Sequence, residues 1–220
     1  MKNEDSVAGA PAPWSLEGKG YIILVKLDRE FVRNRGFLPE ELSGSFAGGI
    51  GTIMYVDYQS SDVGPYRELL FIPGMFSFDR KKYFSITKIY VSTMASVVNG
   101  QSNWGIPKEV AEFEVIEEGN TDRIRVSKND RLCAELCFRS YPFAIPVTTR
   151  IVPPRFHTLA HLSGGKTYMT TPEARGAVSC ARLAEAVIDQ SLFPDFTRGR
   201  ILFVAGIPRF RMVFPKAVIV

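Results

Sequence analysis

The chain has 220 residues, 45% hydrophobic and 23% charged, with 27 basic against 23 acidic side chains and a formal net charge of +4. A chain of that length buries well over half of its extended surface without disulfides or metals. Its longest apolar runs, Tyr21 to Val25 and Ile201 to Ala205, fall far short of the roughly 20 residues of a membrane helix, so a helical membrane protein is excluded.

Residues 1–13, MKNEDSVAGAPAP, are polar and rich in Ala, Gly and Pro, which predicts a mobile tail. The segment has acidic residues and no apolar centre, unlike a secretory signal, so the cytosol is the expected location and no membrane partner is expected. Gly20 to Leu27 is a compact β-branched run and predicts a buried strand. Asp28 and Gly36 bracket a short helix over Arg29 to Arg35 as cap and stop. Ile50 to Asp57 alternates with both faces apolar, as in a central strand, and Val63 to Ile72 returns beside it up to the Pro73-Gly74 break. Further strands are predicted at Tyr83 to Val91, Ala111 to Glu117, Arg123 to Ser127 and Leu132 to Phe138, the last three joined by Gly119-Asn120 and Lys128-Asn129-Asp130 turns. Ile145 to Val152, Thr158 to Leu162, Val178 to Ala184, Gly199 to Ala205 and Pro208 to Val220 complete the strands. Helices are predicted over Ser92 to Asn99, ending at Gly100, and over Glu185 to Leu192. The fold class is mainly antiparallel β with a few short helices (α+β), in a single domain over residues 14–220.

Gly100-Gln-Ser-Asn-Trp-Gly-Ile-Pro-Lys108 places a lysine after a rigid proline, beside Trp104 and Ile106. Loss of water there disfavours the ammonium and exposes a neutral amine that attacks a carbonyl to give a Schiff base. The plain alternative is a surface lysine on a loop.

This segment, with the strand Lys88 to Val91 before it and Ala111 after it, resembles the signature of the acetoacetate decarboxylase family, close to G-R-E-x-x-G-[aromatic]-P-K-K. Gly64-Pro-Tyr-Arg-Glu68 resembles the family's second motif, in which a glutamate follows a tyrosine by two. The resemblance implies a cone-like, mostly antiparallel β-barrel around an apolar cavity, usually in a homo-oligomer. It implies Lys108 as the Schiff-base lysine and Glu68 as a carboxylate for proton handling, with no cofactor, because the iminium itself is the electron sink. Lys19 falls where the family has an arginine that faces the substrate carboxylate, and Gln101 and Trp104 are the other expected substrate contacts.

Several positions depart from the family pattern. Its Arg-Glu pair is Gln101-Ser102, its aromatic before proline is Ile106, Ile53 stands where a second glutamate aligns, and its second lysine is Glu109. An acid at 109 facing the same space raises the pKa of Lys108; on an extended segment the two side chains point to opposite sides, and burial alone must then depress the lysine. Two functions follow: a Schiff-base lyase acting on a small keto acid by decarboxylation, aldol or dehydration chemistry, and a non-catalytic small-molecule binding protein on the same fold.

Other candidates carry less. His157 and His161 lack the glutamate of H-E-x-x-H and follow Pro153-Pro154, so they read as structural or rim histidines and no metal site is expected. Cys133, Cys137 and Cys180 are too few for a disulfide framework and read as small buried apolar groups. Acids interrupt the basic residues, and the longest basic run, Arg80-Lys81-Lys82, follows Asp79, so no nucleic acid is expected as a partner. The mild positive charge suits a small anionic substrate.

Overall fold

The computed structural model describes residues 7–79 and 81–220. The chain runs β1 (Trp14–Lys26), α1 (Arg29–Arg35), α2 (Glu40–Ser43), β2 (Phe46–Gly48), β3 (Gly51–Ser60), β4 (Tyr66–Ile72), β5 (Met75–Phe78), β6 (Lys81–Phe84), β7 (Lys88–Val91), α3 (Met94–Trp104), β8 (Lys108–Val110) and β9 (Glu112–Glu118). It continues through β10 (Thr121–Lys128), β11 (Arg131–Thr148), β12 (Leu159–Ser163), β13 (Lys166–Thr170), β14 (Glu173–Ile188), β15 (Arg200–Phe214) and β16 (Val218–Ile219).

One sheet has ten strands in the order β8-β7-β4-β3-β1-β15-β14-β11-β10-β9, and the other has six, β16-β13-β12-β6-β5-β2. Every neighbouring pair in the large sheet is antiparallel except β7 and β8. This sheet curls until its far end meets its own middle: Tyr21 of β1 stacks on Phe138 of β11 at 4.1 Å and donates to Asp122 of β10 at 2.6 Å. The result is the nearly closed, barrel-like sheet of a mainly antiparallel β fold.

Strand alternation divides the interior in two. Tyr21, Ile23 and Val25 of β1, Ile53 and Tyr55 of β3 and Leu69 and Phe71 of β4 pack with Ile124, Val126 and Leu136 inside the curl. Trp14, Leu16, Tyr58, Tyr66, Leu70 and Ile72, on the other face of the same strands, pack with Trp104 and Ile106.

Several predicted boundaries move. Residues 8–12 are tied down: Asn99 accepts from Ala10 N at 2.6 Å and donates to Ala8 O, while Asn103 donates to Ala10 O and accepts from Ala12 N. Side-chain amides satisfy this backbone as a neighbouring strand would, which a burial argument from composition misses; residues 1–6 of the predicted mobile tail lie outside the described residues. Glu185 to Leu192 is not helical, because β14 runs on to Ile188 with Ala186 opposite Leu136 and Ile188 opposite Ala134. Pro208 does not begin a strand but lies within β15, where the pairing with β1 shifts between Gly18 and Gly20, the bulge position at which a missing N–H costs no ladder bond. The stretch Tyr83 to Val91 divides between the two sheets, with Ile86 N donating to His161 Nε2 (3.2 Å) and Thr87 Oγ1 to Gly36 O (2.6 Å) at the break. Of the cysteines, Cys133 and Cys137 are buried as predicted, but Cys180 is exposed on β14.

Candidate active site

On β4 the alternation that buries Leu69 and Phe71 in one core turns Tyr66, Glu68, Leu70 and Ile72 to the other face, so a carboxylate reaches the interior on an ordinary strand. Thr93 caps α3, its Oγ1 accepting from Ser96 N. The helix does not stop at Gly100 as the residue type predicted but continues to Trp104, and Gly105 ends it in the left-handed conformation (φ 63°), its N–H donating to Gln101 O. Ile106 and Pro107 then lead into β8, whose first residue, Lys108, pairs with Ile89 of β7.

Lys108 is 5% exposed and Glu68 4%. Lys108 Nζ donates to Ser96 Oγ at 3.0 Å and Glu68 Oε2 at 3.1 Å, with a longer contact to Tyr66 Oη at 3.5 Å. Tyr58 Oη approaches the other carboxylate oxygen at 3.5 Å. The amine also lies 5.0 Å from the centre of the Tyr66 ring. Around this group is a cavity of about 530 Å³ in which Glu68 is the sole carboxylate of the lining, and Lys108 and Arg175 are its Lys and Arg side chains, among the described residues.

Burial pulls the Lys108 amine down, but the Glu68 carboxylate and the Tyr66 oxygen outweigh it, and the pKa stands above the ordinary lysine value. The expected depression by burial alone is thus reversed by a partner that lies elsewhere in the sequence. Burial pushes the Tyr66 hydroxyl up to about 12 and that of Tyr58 well above its ordinary value, so both are proton donors at neutral pH.

The other site residues scatter. Trp104 is a cavity wall: it is 2% exposed, its Nε1 donates to Pro215 O, and its ring meets Trp14 and Phe214 edge-on. Gln101 does not line the cavity; its Nε2 donates to Lys108 O at 3.0 Å and so holds the backbone of the lysine. Lys19 is corrected outright. It shares the β1 face of Tyr21 and Ile23, opposite to Trp14 and Leu16, and pairs with the exposed Glu117 of β9 at 2.6 Å, outside the cavity lining. Ile53 likewise packs in the other core, and its neighbour Met54 takes the cavity-facing position. Glu109 points away from Lys108, to Lys88 at 2.6 Å and to Lys128; burial pushes its carboxyl up, but these two hydrogen-bonded ammonium groups hold it below the usual range.

Sequence reasoning missed Ser96, Tyr58 and Tyr66 as members of the group. Tyr66 carried a signal, since two residues before Glu68 on a strand means the same face. Ser96, one helical turn before Gly100, carried a weaker one. His161 is structural: burial brings its pKa down to about 3, keeping it neutral, while His157 lies in the cavity lining. Among the described residues no group of three or more His, Cys, Asp or Glu side chains is placed to hold a metal ion.

The family model for acetoacetate decarboxylase matches residues 4–161. No curated protein matches the sequence. Solved structures do match along nearly the whole chain. The acetoacetate decarboxylase of Legionella pneumophila aligns with a TM-score of 0.68 at 14% identity, covering 100% of this chain and 92% of its own. An acetoacetate decarboxylase-like enzyme from Sphingomonas wittichii RW1 gives 0.70 at 9% identity, covering 100% and 97%. The enduracididine biosynthesis enzyme MppR, in complex with pyruvate, gives 0.65 at 14% identity, covering 98% and 93%. At these identities the likeness is one of fold.

Proposed function

Starting from the chain's membership of the acetoacetate decarboxylase family, we propose that it is a cofactor-independent lyase that joins Lys108 to a keto acid as a Schiff base. The observation that carries this reading is the buried Lys108 Nζ, 3.1 Å from Glu68 Oε2 at the wall of an apolar cavity.

The resting pair is ammonium and carboxylate, so the first step passes a proton from Nζ to Glu68. The freed amine adds to the substrate carbonyl, and the carbinolamine oxygen takes that proton back from Glu68 and a second one from the added nitrogen, leaving as water and giving the iminium. In a 3-oxo acid the bond to the carboxylate then breaks, carbon dioxide departs, and the electron pair moves into the iminium to give an enamine. The enamine carbon takes a proton delivered through Glu68 or Tyr66, and water releases the ketone and the free lysine. In place of the proton, an aldehyde can capture the enamine, which is the aldol course. A second reading, ligand binding without turnover, is favoured by the raised pKa of Lys108, which keeps the amine protonated and therefore not nucleophilic at neutral pH.

The proposal includes a cytosolic homo-oligomer. Phe143, 87% exposed, and Ile151, 82% exposed, lie on and just beyond β11 in the segment that also supplies Val147 and Phe156 to the cavity lining, and a second copy of the chain is the proposed cover. Reductive trapping with borohydride over a panel of keto acids, read by intact mass, tests the chemistry. An adduct on the native protein that is absent from Lys108→Ala supports the lyase. No adduct with any acid, or one that persists in the variant, removes it and leaves the binding protein.

A further inference from the structure

The cavity exceeds what a four-carbon keto acid needs. Its volume of about 530 Å³ matches roughly 18 non-hydrogen atoms at the about 30 Å³ that a water takes in the liquid, and such an acid fills less than half of it. The walls are also of the wrong kind for a small anion. Beyond Lys108, six successive strands of the large sheet each contribute an apolar side chain: Ile89, Leu70, Met54, Ile22, Met212 and Val178. Glu68 and Lys108 neutralise each other, and the other Lys or Arg of the lining, Arg175, is exposed. The Lys19 cation that would have met a small carboxylate lies on the opposite face of β1, paired with Glu117.

A small polar acid would leave most of this wall against water. An apolar chain would cover it, and each methylene moved from water to the wall is favourable. Met54 and Met212 have unbranched, polarizable side chains that adapt to chains of differing shape.

We propose that the substrate is a 3-oxo acid with an extended apolar tail, up to roughly fifteen carbons in all on the volume argument once its three oxygens are counted, its carbonyl carbon at Lys108 and its tail along Met54 and Met212. The orientation rests on the Schiff-base reading above; the preference for a tail rests on the cavity alone.

Methyl ketones from acetone to about sixteen carbons, the stable products of such acids and their next homologues, are the probes. The chain has two tryptophans, Trp14 and Trp104, and both line the cavity, so their fluorescence reads occupancy whether or not a Schiff base forms. Affinity should rise about fourfold per added methylene, the ratio that about 0.8 kcal/mol corresponds to, and then level off once the cavity is full. Met54→Phe should move the plateau to shorter ketones. Affinity that is flat or falls beyond four carbons overturns the proposal. Borohydride trapping of the same ketones separates the two readings. A rising affinity with no adduct at Lys108 at any length keeps the tail and removes the lyase, whereas equal affinity and equal adduct at every length keeps the lyase and removes the tail.

Discussion

The stem of Lys108 lies directly on Gly100 of α3: a Cβ at residue 100 would stand 2.7 Å from Lys108 Cδ and 2.9 Å from Cε. A glycine inside a helix ordinarily weakens it. Here its missing side chain is the space through which the lysine reaches Ser96 and Glu68.

Gly100→Ala should therefore separate stability from activity. The helix gains up to about 1 kcal/mol from the better helix former, offset by displacement of the lysine stem, so the melting temperature should change little. The amine, moved by about an ångström, should lose roughly 100-fold in the rate of borohydride trapping. A variant that traps at the native rate would show that the close approach does not position Nζ.

Removing one member of the buried pair should cost far more than removing both. Lys108→Met leaves Glu68 buried among apolar groups and should destabilise the fold by about 3–5 kcal/mol. Lys108→Met with Glu68→Leu should recover most of that loss in denaturant unfolding. Because the Lys108 pKa is raised on folding, the contribution of the pair is fully present below the ordinary lysine value and fades only as the pH rises above it. Equal losses in the single and double variants would mean that the two charges are not coupled.

Glu68→Gln removes the main cause that raises the lysine and leaves burial, which lowers it. The pH at which Lys108 becomes reactive toward an amine-selective acylating reagent should fall below the ordinary lysine range. Turnover of any decarboxylated acid should nevertheless drop by about 10²- to 10⁴-fold, because the proposed mechanism loses its proton carrier. A reactivity profile that stays put or moves to higher pH contradicts this assignment.

His161 should make the fold acid-sensitive. Its folded pKa is brought down to about 3 from 6.5, so the unfolded chain takes a proton first as pH falls. Stability should drop by roughly 1.4 kcal/mol per pH unit below about 6.5, down to about 3. His161→Gln keeps an acceptor for Ile86 N and does not titrate, so its stability should fall less steeply over that window. Parallel slopes for the two proteins would exclude His161 as the source.

Local chemistry was readable wherever a short stretch settles its own conformation. Asp28 caps α1 over the predicted residues, its Oδ1 accepting from Glu30 N and Phe31 N. The Asn129-Asp130 turn, with both residues at positive φ, joins β10 to β11 as the residue types require. Errors arose where pairing with a distant strand overrode local preference. Glu185 to Leu192 reads as a helix in isolation but continues β14 because β11 lies beside it. Lys19 and Ile53 failed for a sharper reason: with a side-chain period of two, one position along a strand separates the cavity from the opposite core.

By itself the sequence determined a predominantly β chain and the family to which its motifs point, and it singled out the Gly100 to Lys108 segment and Glu68 as the candidate groups. It did not carry the proton state of Lys108, because that depends on a carboxylate 40 positions away brought to 3.1 Å. Nor did it carry the cavity, whose walls come from strands spread from Trp14 to Phe214. A residue's own chemistry and its near neighbours are written along the chain; a pKa and the shape of a void are properties of surroundings assembled only when distant strands pair.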